Sequence, residues 1–194
     1  MENRVIHNLA LIGFMGTGKS SVGRGAAEWL RFAFVDTDSL VEARAGKNIA
    51  ALFAQDGEAA FREHERQVVA DLAQRRRTVI ATGGGLGADP DNLASLRTHA
   101  LVVCLWAPPE LIYERVRHLT HRPLLQVADP LARIRELLAQ RTPVYQQADV
   151  LLNTAARQSG EVVRQVVHHF HLAQGEGQAA QAERQDPGSV PGSA

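Results

Sequence analysis

The chain of 194 residues holds almost no cysteine, no surplus of either charge and no long hydrophobic run. Each absence excludes something. Its single cysteine, Cys104, rules out an internal disulfide framework, and within the apolar run Ala100 to Trp106 it reads as a small buried hydrophobe. Lysine plus arginine number 21 and aspartate plus glutamate 21, so no basic excess draws the chain toward nucleic acid or an anionic lipid surface. No apolar stretch approaches the roughly 20 residues of a membrane span. The opening M1-E-N-R-V-I-H lacks the apolar core of a secretory signal. Together these absences predict a soluble cytoplasmic protein with no nucleic-acid or membrane partner. No long apolar surface stripe stands out, so a monomer is expected.

What is present suits one domain with a tail. Apolar residues make up 45% of the chain, enough for a sizeable core. Short runs rich in Val, Ile, Leu and Phe occur at Val5–Ile12, Phe32–Val35, Thr78–Ala81, Leu101–Trp106 and Val150–Leu152. They have the length and composition of buried parallel strands. Helical patterns separate them, at Lys19–Arg31, Gly57–Arg76, Pro109–Leu119, Pro130–Gln147 and Gly160–Leu172. The alternation predicts an α/β fold, a five-stranded parallel sheet with helices on both faces. Ligands of such sheets bind beyond the carboxyl ends of the strands. Residues 1–172 form this domain. The segment 173–194 is poor in large apolar residues and is predicted to be a disordered tail.

The first strand runs into G13-F-M-G-T-G-K-S20, which fits the phosphate-cradling P-loop pattern. Its glycines let backbone N–H groups turn inward on phosphate oxygens, and the following helix adds its positive end. Gly13, Gly16, Thr17, Gly18, Lys19, Ser20 and Ser21 are the expected contacts to a nucleoside triphosphate. Lys19 would reach the β- and γ-phosphates and Ser20 would hold Mg²⁺. Gly25, inside the following helix, costs about 1 kcal/mol relative to Ala and calls for close packing, with the sheet as the first suspect.

The second strand ends in Asp36-Thr37-Asp38, expected to stand beside the P-loop if the two strands are neighbours. Two acids so placed suit a cation and a substrate hydroxyl: Asp36 for Mg²⁺, Asp38 to accept the hydroxyl's proton. The plainer alternative makes Asp38 the N-cap of a helix through S39-L-V-E-A. The third strand ends in Gly83-Gly84-Gly85, where something can approach the backbone closely. Arg62, Arg122 and Arg141 carry the planar fork that suits carboxylates and phosphates. The run R75-R-R77 reads as a polar helix end, and H168-H-F-H171 as an amphipathic helix terminus rather than a metal site.

These motifs, in this order, make the chain resemble shikimate kinases from about Leu9 to His169. The resemblance rests on G13-F-M-G-T-G-K-S-S-V-G-R24, F34-V-D-T-D38, F61-R-E-H-E65, T82-G-G-G85, R122-P-L-L125 and R141-T-P-V-Y-Q-Q-A-D149. It implies a P-loop NTPase fold of the nucleoside-monophosphate-kinase kind, and transfer of the γ-phosphate of ATP to the 3-hydroxyl of shikimate, a step toward aromatic amino acids. On that likeness Asp38 holds the reacting hydroxyl, Asp36 supports Mg²⁺ through water and Ser20 ligates it. Arg62 and Arg141 clamp the substrate carboxylate, and Gly83, Gly84 and Gly85 line its ring. Phe53, Phe61, Pro123 and Leu124 wall the pocket, and Glu65 holds Arg62. A lid over about residues 119–128 brings in Arg122, while Arg115 lies against adenine. One departure is L152-N-T154, where the family often reads V-D-T. Thr154, Arg157 and Ser159 are carried over as nucleotide-side contacts despite it. Two rivals are a gluconate kinase on the same scaffold and a non-catalytic nucleotide-binding module.

Overall fold

The computed structural model describes residues 4–118 and 127–185, with side chains described as far as residue 175. Most of the expected lid, with Arg122, Pro123 and Leu124, falls outside the described residues, as does 186–194. Five strands form: β1 (Asn8–Ile12), β2 (Ala33–Asp36), β3 (Thr78–Ala81), β4 (Ala100–Trp106) and β5 (Val150–Asn153). They pair in parallel in the order β2-β3-β1-β4-β5. β1 and β3 are buried at every position because helices cover both faces of the central strands.

Alternation along β1 divides the core in two. Ala10 and Ile12 point to one layer, Leu9 and Leu11 to the other. The second layer is closed by α1 (Lys19–Leu30) and α7 (Ser159–Gln185). The first is closed by α2 (Thr37–Ala45), α3 (Ile49–Leu72), α4 (Pro90–Arg97), α5 (Pro109–Val116) and α6 (Pro130–Tyr145). Phe14, Leu52 and Leu86 in one layer and Phe170 in the other are essentially inaccessible. Each contributes roughly 1.5–3 kcal/mol by leaving water.

The expected α/β architecture stands, with five informative differences. β2 is not the neighbour of β1; β3 lies between them. Helix α2 starts at Thr37 with no loop after β2, and its cap is Asp36, not Asp38: the Asp36 carboxylate accepts from the Asp38 amide at 3.1 Å. Helix α3 begins at Ile49, where Asn48 accepts from the Ala51 amide at 2.8 Å. Gly57, expected as its start, is instead a break inside it at φ 80°, ψ 175°. The arginine run follows the end of α3, in the link to β3, where Arg77 lies over the Phe32 ring. Helix α7 runs past Leu172 to Gln185, so 173–185 is helical backbone rather than a disordered tail, and Ala173 is buried. The histidines of H168-H-F-H171 therefore sit within a helix, not at its end, with Phe170 in the core.

Gly25 packs closely, but against α7. A Cβ there would come within 2.9 Å of Val163, whereas Gly23 is the glycine that faces the sheet, 2.8 Å from Phe34. Among the described residues, no helix is long and apolar enough to cross a membrane.

Candidate active site

The loop between β1 and α1 turns on three glycines with positive φ: Gly13 at 130°, Gly16 at 77° and Gly18 at 94°. Only glycine adopts such angles at little cost. Thr17, buried, ties the turn by donating to the Phe14 carbonyl at 2.8 Å. The Lys19 ammonium folds back onto the loop and donates to the carbonyls of Gly13 (2.9 Å) and Phe14 (2.8 Å). Ser20 and Ser21, in the first turn of α1, are exposed. The glycine turn that the motif calls for is thus present in the backbone.

Although β2 is two strands away from β1, its end reaches the P-loop. The Ser20 hydroxyl donates to the Asp36 carboxylate at 2.9 Å. These are two hard oxygen donors of the kind Mg²⁺ takes, and Mg²⁺ usually draws its other ligands from water and phosphate. No cluster of three or more acidic, histidine or cysteine side chains suited to a metal exists among the described residues. That spare donor set fits an ion completed by a bound nucleotide.

The third strand's glycines have a role the sequence did not specify. None of Gly83, Gly84 and Gly85 has a positive φ. What matters is the missing Cβ. At Gly83 it would collide with the Asp38 carboxylate, at Gly85 it would stand 2.6 Å from the Arg62 guanidinium, and at Gly84 it would lie 3.5 Å from Arg141. Three side chains from α2, α3 and α6 therefore converge on one short stretch of bare backbone. The Gly84 carbonyl accepts from Arg141 at 3.2 Å and from the Tyr145 hydroxyl at 2.9 Å. Burial pushes the Tyr145 phenol up to about 12, against the pull of Arg141, so it stays a donor.

Arg62 is held by two carboxylates, Glu65 at 2.7 Å and Glu58 at 3.0 Å. Burial alone would lower its pKa, but those two partners raise it. Burial pushes the Glu65 carboxyl up, and the bond to Arg62 opposes that rise. Phe61 lies under the Arg62 guanidinium, its ring centre 5.3 Å away, and Phe53 packs tilted against Phe61 with ring centres 4.6 Å apart. Arg141 lies 5.3 Å over the Phe14 ring of the P-loop. The arginines are thus fixed in direction before any substrate arrives.

On the far side, Arg115 of α5 spans two segments. It donates to the Gly16 carbonyl at 3.2 Å, the Thr154 hydroxyl at 3.0 Å and the Thr154 carbonyl at 2.8 Å. Arg157 is exposed and donates to the Asn153 carbonyl at 2.9 Å, while Ser159 opens α7. Cys104 is buried, and burial lifts its thiol to about 12, consistent with a small hydrophobe. Sequence reasoning missed Thr37 and Tyr145. Their hydroxyls bond to backbone remote in sequence, which no local pattern signals.

The family model described as Shikimate kinase matches residues 15–171. A shikimate kinase of Thermodesulfovibrio yellowstonii is 40% identical over 163 residues, covering 84% of this chain and 94% of that protein. The solved structure of a shikimate kinase from Acinetobacter baumannii in complex with shikimate superposes with a TM-score of 0.82 at 34% identity, covering 87% of this chain and 95% of that one. A gluconokinase from Sinorhizobium meliloti shares the fold alone, at 21% identity and a TM-score of 0.58, over 96% of this chain and 99% of that one.

Proposed function

The chain belongs to the shikimate kinase family, and from that premise we propose how its site moves the γ-phosphoryl group of ATP onto the 3-hydroxyl of shikimate. The observation that carries the reading is the row of Asp38, Arg141 and Arg62 against Gly83, Gly84 and Gly85. A small carboxylated polyol needs cationic forks at one end and an acceptor for its hydroxyl proton at the other. Arg62 and Arg141 supply the forks, bidentate in kind. Asp38 supplies the acceptor, orienting the hydroxyl and taking its proton as it attacks. Between them the bare glycine backbone leaves room for a ring to lie close.

On the nucleotide side, the backbone of Gly13 to Gly18 and the start of α1 hold the phosphates. Lys19 counters charge on the transferring group. Ser20 and Asp36 would hold Mg²⁺, which when bound neutralises charge on the β- and γ-phosphates. Arg115, with Thr154 and Arg157 nearby, offers a fixed planar face for the base. Arg122 lies outside the described residues. Its role, steadying the phosphoryl group from a lid that excludes water, rests on the R122-P-L-L125 motif. Positioning and charge do most of the work in this chemistry. The reading takes the enzyme as a cytoplasmic monomer, for which sedimentation at the mass of one 21.1 kDa chain is the check.

The test is ADP release from Mg²⁺-ATP with shikimate, with gluconate, and with neither. Release that depends on shikimate is expected. Release with gluconate alone overturns the substrate while keeping the kinase. Nucleotide binding without release on either acceptor favours the binding module.

A further inference from the structure

In the Asp36-Thr37-Asp38 triplet, the two acids have been given work and the threonine between them has none. Thr37 is nevertheless the most buried of the three, fully inaccessible to solvent. Its hydroxyl oxygen accepts from the Gly83 amide at 2.8 Å, a buried bond between residues 46 apart in sequence. The β2–β3 ladder ends at the pair Asp36–Ala81, because the chain turns into α2 at Thr37. The Thr82 amide turns the other way, to Leu11 of β1. Gly83, two residues past the last pair, is therefore the next whose amide turns toward β2, and a side chain takes over where backbone pairing stops.

Gly83 is also the residue whose missing Cβ leaves room for the Asp38 carboxylate. Adjacent residues of α2 thus address the same glycine, Thr37 by a hydrogen bond and Asp38 by direct approach. The Asp38 amide is meanwhile fixed by the Asp36 carboxylate at 3.1 Å. We propose that Thr37 is a positioning residue: by holding the Gly83 amide, its hydroxyl sets where the Asp38 carboxylate stands against the glycine wall. The inference rests on the reading of Asp38 as the group that meets the substrate hydroxyl. It requires a hydroxyl at position 37, not a threonine as such, and it acts on turnover, not on nucleotide binding.

The experiment is steady-state kinetics and ATP affinity for Thr37→Val, Thr37→Ser, Asp38→Asn and the double variant Thr37→Val/Asp38→Asn, with thermal melts alongside. Thr37→Val removes the acceptor at nearly constant shape. It is expected to lower kcat by roughly tenfold or more, the scale on which small misplacements act, with ATP affinity unchanged. Thr37→Ser restores the hydroxyl and is expected to restore kcat. In the Asp38→Asn background, Thr37→Val is expected to cost little more, because residues acting as one unit are not additive. Should the valine variant fail to fold, Thr37→Cys, with its weak sulfur acceptor, replaces it with the same expected outcome. Wild-type kcat in Thr37→Val or its Cys substitute overturns the inference. So does a serine variant as impaired as the valine one, or a loss of ATP affinity equal to the loss of turnover. If Asp38→Asn itself keeps its turnover, the reading of Asp38 fails and the inference with it. If Asp38→Asn is inactive while Thr37→Val is normal, only the role of Thr37 falls.

Discussion

The two glycine-rich segments of this molecule use the same residue for different physical reasons. Gly13, Gly16 and Gly18 all have positive φ, so their loop is shaped by backbone torsion, although at Gly13 and Gly16 a Cβ would also collide, with the Leu105 carbonyl and with Val116. Gly83, Gly84 and Gly85 have ordinary backbones and are needed for the space a Cβ would fill. The first segment makes its site out of itself. The second makes room for side chains delivered by α2, α3 and α6. A torsional site should fail through stability when its glycines are replaced, and a spatial site through chemistry.

Gly83→Ala gives the largest expected effect. A methyl group at the place of the Asp38 carboxylate should lower turnover by about 10²-fold, with melting nearly unchanged. Gly84→Ala, whose Cβ would meet Arg141 at an ordinary 3.5 Å, should leave kcat nearly unchanged and act instead on the KM for shikimate, whose ring lies against that backbone in the proposed site. Equal effects at the two positions would break the spatial account. Next comes Arg62→Ala. Losing one charged hydrogen bond of about 1.5–3 kcal/mol should raise the KM for shikimate by roughly 10- to 100-fold and leave that for ATP alone. Parallel rises in both would point to a structural role, through Glu65 and Glu58.

Gly18→Ala sharpens the contrast from the other side. It puts a side chain at φ 94° with its nearest neighbour, Val22, at an ordinary 3.9 Å, so torsion alone should cost about 1–3 kcal/mol. Calorimetry should show a fall in Tm of several degrees, alongside weaker ATP binding. An unchanged Tm would remove torsion as the reason for that glycine.

The smallest expected effect lies at the opposite end of the sheet. Burial, with His7 and Arg76 nearby, lowers the pKa of His99 from 6.5. Above pH 6.5 both folded and unfolded chains carry it neutral. As pH falls below 6.5 the unfolded chain gains its proton first, so stability falls. His99→Gln should flatten that part of the Tm-against-pH curve and leave turnover untouched. A curve identical to wild type would mean that His99 contributes nothing to acid sensitivity.

Much of this was legible in the sequence. The strands were marked by short apolar runs, and Thr78–Ala81 stands where its run placed it. Strand order was not legible, because periodicity reports a residue's face and not its neighbour strand. Helix α2 was read only as the alternative through S39-L-V-E-A, and its start was misplaced because it follows β2 with no loop to mark the boundary. Helix α4, capped by Asp89, follows the glycines in a short segment between β3 and β4 with too few residues to show a period. The P-loop could be read because backbone chemistry writes itself into a fixed spacing. Thr37 and Tyr145 could not, because each acts on backbone 46 and 61 residues away.

The three hydrogen bonds of Arg115 carry a thermodynamic consequence. A free arginine on a helix surface samples many rotamers, and a ligand that stacks on it must stop them. Here Gly16 and Thr154 have already done so. If adenine lies on that face, the ordering entropy of the side chain, about 0.5–1.5 kcal/mol, belongs to folding and not to association. Calorimetric titration of ATP should then show a more unfavourable binding entropy in Thr154→Ala than in the wild type, even where the affinity changes little.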